Sequence, residues 1–99
     1  MSYRIHVTEL IPHRRLPAWC LHVLAEVKAA WQGVPTELPA CAIGTISSTI
    51  EHMSFHGLVS QEFSGADVPR KESEDGRALT IYSRTGNTAL VKIEFKEDK

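Results

Sequence analysis

TISSTIEHMSFHGLV, residues 45–59, is the stretch on which the reading of the fold turns. Ile46, Ile50 and Met53 recur at helical spacing and make one apolar face. Gly57 supplies the left-handed backbone that ends a helix, and Leu58-Val59 opens a strand directly after it. Ser47, Ser48, Glu51 and His52 lie off the apolar face. A short helix with a small polar outer face, followed at once by a hairpin, is the way a winged helix presents itself to a partner.

Working upstream, residues 39–44 admit two readings. Thr36 can cap and Pro39 sits where a first-turn proline is tolerated. Either residues 40–43 form a short helix, with Gly44 as a turn and Thr45 as the next cap, or residues 39–56 form one bent helix with Gly44 inside it. Further back, residues 16–31 are the clearest helix. Leu16, Cys20, Val23, Leu24, Val27 and Trp31 share a face, Ala25, Ala29 and Ala30 favour helix, and Gly33 stops it. Trp19 and Trp31 are expected in the core or a seam. At the N-terminus, residues 3–8 alternate with Tyr3, Ile5 and Val7 inward, as in a half-buried strand. Ile11-Pro12 breaks it, and a basic knot follows at Arg14-Arg15.

Downstream, residues 58–63 read as a strand and residues 64–69 as a loop. Residues 70–76 are charged and turn-rich. Residues 77–84 resume a strand with Leu79 and Ile81 alternating, and Thr85-Gly86-Asn87 marks a tight turn. Val91, Ile93 and Phe95 alternate with Lys92, Glu94 and Lys96 in a last strand. The first and last strands pair either with each other or with the same elements of a second copy.

The bulk numbers fit one domain over residues 1–99. Hydrophobic residues are 42% and charged residues 23%, so the chain is expected to fold. Eleven Lys and Arg against twelve Asp and Glu give a formal net charge of -1, which argues against strong non-specific nucleic-acid binding. No leader pattern and no apolar run near the roughly 20 residues that span a bilayer is present, so a cytoplasmic location and no membrane contact are expected. Cys20 and Cys41 are expected as buried free thiols.

The stretch Thr45-Ile46-Ser47-Ser48 through His56-Gly57-Leu58-Val59 resembles the recognition helix of winged helix-turn-helix regulators, the MarR-like group in particular. Glu74-Asp75-Gly76-Arg77-Ala78 looks like that group's wing, and Arg84-Thr85-Gly86 stands where a Thr-x-x-Gly step is common. The resemblance covers residues 16–86. It implies an α+β winged helix with three helices, a small antiparallel sheet and an extra strand at each terminus. It also implies a transcriptional regulator that binds double-stranded DNA as a homodimer. Thr45, Ser47, Ser48 and His52 would then enter the major groove. Arg70, Lys71 and Arg77 would touch phosphate or minor groove from a wing over residues 64–77, and Arg14 and Arg15 would add a phosphate contact.

The alternative is a small protein-binding winged helix without DNA binding, such as a phage- or plasmid-type accessory protein or an inhibitor of a host complex. Residues 45–56 carry no Lys or Arg and include Glu51. In that reading Glu51, His52 and Phe55 form the contact, and the last strand, residues 90–95, offers an edge for strand addition. His52 and His56 stand at a spacing that can hold a metal, yet no third ligand declares itself and no metal site is expected. No nucleophile beside a base, no carboxylate pair in an apolar setting and no phosphate-cradling loop marks an enzyme, and no cofactor is expected.

Overall fold

A computed structural model describes residues 2–59 and 62–98. Strand β1 is Tyr3–Glu9, helix α1 is Ala18–Trp31 and helix α2 is Pro39–Glu51. Strands β2 (Arg70–Glu72), β3 (Ala78–Tyr82) and β4 (Ala89–Glu97) follow, and short 3₁₀ turns lie at His13–Arg15 and Gly65–Asp67. The four strands form one antiparallel sheet in the order β1-β4-β3-β2. The expected three-helix winged helix is overturned: the architecture is α+β, with two α-helices on one face of a four-stranded sheet.

The reason lies in α2. Ala42, Ile43, Ile46 and Ile50 are all buried, so the apolar face runs straight through Gly44. Burial on consecutive turns outweighs the weak helix preference of one glycine. The outer side of Gly44 has no neighbour within 4 Å, so nothing there forces a turn. Thr45 does not cap a new helix, because its hydroxyl donates to the Cys41 carbonyl at 2.9 Å from inside a continuous one. Pro39 occupies the first turn, where its missing N–H costs little.

The helix also ends earlier than Gly57 implies. Its last residue is Glu51, and Gly57, at φ +82°, serves a turn closed by the Leu58 N–H to the Phe55 carbonyl. The expected strand at 58–63 is absent at Leu58, Val59, Glu62 and Phe63; Ser60 and Gln61 lie outside the described residues. Instead the chain folds back under α2. Gly65 donates to the Met53 carbonyl at 2.9 Å, and Ser54 bridges to Ser64. Trp19, Phe55 and Phe63 clamp this return, with ring centroids 5.2 to 5.9 Å apart.

The sheet alternates as the sequence suggests. Leu79, Ile81, Val91, Ile93 and Phe95 are buried beneath the helices, while Thr80, Lys92, Glu94 and Lys96 occupy the other face. Tyr3, Ile5 and Val7 pack half-buried against the same core. The first and last strands do pair with each other. Strand β4 is therefore central, and the edge expected at residues 90–95 does not exist. The free edges are β1 and the short β2.

Candidate interaction surface on the second helix

With α2 continuous, the residues expected to meet a partner fall on different sides of it. Cys41, Gly44, Thr45, Ser48, Thr49, His52 and Met53 line a shallow open depression of about 730 Å³ along its outer side. Leu38, just ahead of the helix, is 67% exposed and continues the row Leu38, Cys41, Thr45, Ser48, His52. Steps of three and four residues keep these positions on one helix face. The row carries no fixed charge. Its polar groups are partly spent inside the helix: Thr49 donates to the Thr45 carbonyl at 2.9 Å, and His52 Nδ1 donates to the Ser48 carbonyl at 2.8 Å.

Ser47 lies on the flank and faces Arg70. Arg70 Nε donates to Ser47 Oγ at 2.9 Å, and its Nη1 donates to the carbonyls of Gly65 and Val68, each at 3.0 Å. This guanidinium staples the 3₁₀ turn to α2. Lys71 opposes Thr80 across β2 and β3, so it sits on the sheet face away from the helices. Arg77 precedes β3, with its guanidinium 5.0 Å from the Tyr3 ring centroid. Its backbone N–H donates to Asp75 Oδ1 at 3.0 Å. The Ser73 hydroxyl and that N–H hold the Asp75 carboxyl below the usual carboxylate range, so the pair shapes the β2–β3 turn.

Arg14 and Arg15 are exposed in the 3₁₀ turn that follows the Glu9 end of β1. Tyr3 and Arg77 mark the other end of the same strand, roughly 20 Å away at about 3.3 Å per residue. The cations named by the resemblance thus divide between two ends and two faces of the sheet.

Other expectations change with the fold. Phe55, expected as an exposed contact beside Glu51 and His52, is 1% exposed. It follows the helix end, where the chain turns inward, and packs against both Trp19 and Phe63. Glu51 and His52 are exposed. His56 lies beyond the helix, so it does not share a helix face with His52. Cys20 is buried as expected, and burial, with the Glu9 charge adding to it, pushes its thiol up to about 11. Cys41 is exposed, against expectation, because it lies on the outer row of α2. Among the described residues, no group of three His, Cys, Asp or Glu side chains converges to hold a metal. None of their helices is long and apolar enough to cross a membrane.

Leu38, Cys41, Gly44 and Met53 are members of this surface that the sequence did not assign to it. The signal was the Leu38-to-His52 spacing, which emerges only when residues 39–51 are taken as one helix. The Arg70–Ser47 bond had no such signal, since the partners lie 23 residues apart. Set against known protein families, curated proteins and solved structures, the chain matches none. The MarR-like resemblance therefore rests on residues 45–59 and 74–86 alone.

Proposed function

We propose that this domain is a non-catalytic protein-binding module and that the outer row of α2 is its contact face. The observation that carries the reading is the separation of charge from that face. Leu38, Cys41, Thr45, Ser48 and His52 offer partly apolar side chains without a fixed charge around a shallow depression. None of Arg14, Arg15, Lys71 and Arg77 lines that depression, and Arg70 is engaged internally. A duplex-binding face needs several cations on one side to neutralise phosphates and release counterions. A protein contact needs instead a face that is cheap to desolvate, with an apolar anchor such as Leu38. The role of an accessory or inhibitory subunit of a larger complex fits such a face.

DNA binding is the competing reading, and one experiment separates the two. Affinity capture from nuclease-treated lysate is run beside a mobility-shift assay at low salt with random duplex. The proposal expects a stoichiometric protein complex that nuclease leaves intact and Ser48→Arg abolishes. A duplex shift weakened by Lys71→Ala and Arg77→Ala, with no protein complex, would transfer the function to DNA.

A further inference from the structure

We propose that the free edge of β1 pairs antiparallel with β1 of a second copy about a twofold axis at Val7, joining two four-stranded sheets into one. The inference is independent of what α2 binds. It starts from the hydrogen-bond parity of β1. Leu10 N–H meets the Leu90 carbonyl, and the Asp98 N–H meets that of Ser2, so even-numbered β1 residues bond to β4. Odd-numbered residues turn their N–H and C=O to the open side. Tyr3 spends both on Thr36, at 2.8 Å each. Ile5, Val7 and Glu9 have no backbone partner among the described residues.

That free run is symmetric about Val7. Thr36 closes it on one side, and the strand ends at Glu9 on the other. Antiparallel pairing centred on Val7 sets Val7 against the partner's Val7 and Ile5 against the partner's Glu9. Each open donor and acceptor of the run is then matched, and the pairing stops where the partner's Thr36 segment begins. This is the self-complementarity that an isologous interface requires.

Side-chain charge selects the same register. Ile5, Val7 and Glu9 lie opposite Phe95, Ile93 and Val91, so all point to the helix side of the sheet. There Lys28 of α1 and Gln32, just past the end of that helix, line a groove of about 360 Å³ with Ile5, His6 and Val7. Lys28 has no acidic partner among the described residues. The partner's Glu9, which also accepts from its own His13 at 2.7 Å, is set opposite Ile5 and brings a carboxylate to this groove, and the contact recurs on the other side of the axis. Ala25, which shares the Lys28 row of α1, is small enough to let the two α1 helices approach.

Sedimentation velocity over a concentration series tests the pairing. The full chain is expected to show a reversible monomer–dimer equilibrium. Val7→Pro removes an N–H that the monomer's own sheet does not use, so it should keep the circular dichroism of the wild type and raise the dimer Kd by about a hundredfold or more. Lys28→Glu alters only an exposed helix position and serves if the proline variant fails to fold. It should raise Kd about tenfold, and adding Glu9→Lys should restore it. A monomer at every concentration overturns the proposal. So does a dimer that a folded Val7→Pro leaves unchanged, or a Lys28→Glu Kd equal to that of the wild type.

Discussion

Arg70 and Ser47 stand 23 residues apart in the chain and 2.9 Å apart in space, with the guanidinium Nε donating to the serine hydroxyl. Because Nη1 also bonds the Gly65 and Val68 carbonyls, one side chain ties α2, the 3₁₀ turn and the start of β2 together. Arg70→Ala leaves these acceptors without their charged donor and should cost about 2 kcal/mol in urea denaturation. Arg70→Lys should recover only part of the loss, because a point charge cannot reproduce the fork. An unchanged midpoint in Arg70→Ala would remove the staple from the account.

The elements set by strong local patterns were legible in the sequence. Helix α1 shows its buried face from Cys20 to Val27, and β3 and β4 show alternation at Leu79, Ile81, Val91, Ile93 and Phe95. What escaped was set by tertiary packing. The choice left open at Gly44 and Thr45, a turn and a cap or one bent helix, is decided only by Ile43 and Ile46, which bury the helix across them. Gly57 looks like a helix stop, yet the helix is already over at Glu51. Arg70 looks like a wing cation, and only the folded chain brings Ser47, Gly65 and Val68 to it.

Two glycines should respond in opposite senses to alanine. A Cβ on Gly65 would lie 1.6 Å from the Ile50 carbonyl oxygen, which is backbone and cannot step aside. Gly65→Ala should therefore destabilise by about 3 kcal/mol or more. Gly44 is helical with no neighbour within 4 Å of its Cβ position, so Gly44→Ala should stabilise by about 0.5–1 kcal/mol. Thermal melts of both variants check the pair. A destabilised Gly44→Ala would mean that α2 is broken there.

Phe55→Ala should cost about 3–5 kcal/mol, because it empties the site against Trp19 and Phe63. The loss should appear in the isolated domain by denaturant titration, with no partner present. A stability loss near zero would place Phe55 at the surface, as the sequence first suggested.

Burial raises Cys20 from the ordinary thiol value of 9.0 to about 11. A raised folded value favours the neutral thiol in the native state. Its stabilising contribution is complete below about pH 9 and is lost as pH climbs towards 11. Stability should fall over that window in the wild type, and the fall should flatten in Cys20→Ala. A thiol reagent at neutral pH should label Cys41 alone in the native protein and both cysteines after unfolding. Rapid native labelling of Cys20 would contradict its placement.

That same selectivity allows the most direct test of the proposed contact face. Cys41 is native, exposed and central to the outer row of α2, so a thiol-linked photo-crosslinker can be placed there without mutation. A control probe goes on Thr85→Cys in a Cys41→Ser background, in the exposed turn between β3 and β4. Irradiated in lysate, the Cys41 probe is predicted to yield one discrete protein adduct that the Thr85→Cys probe does not give and that Ser48→Arg suppresses. Nucleic-acid adducts alone, or the same products from both probe positions, would contradict the claim that this helix face binds a protein.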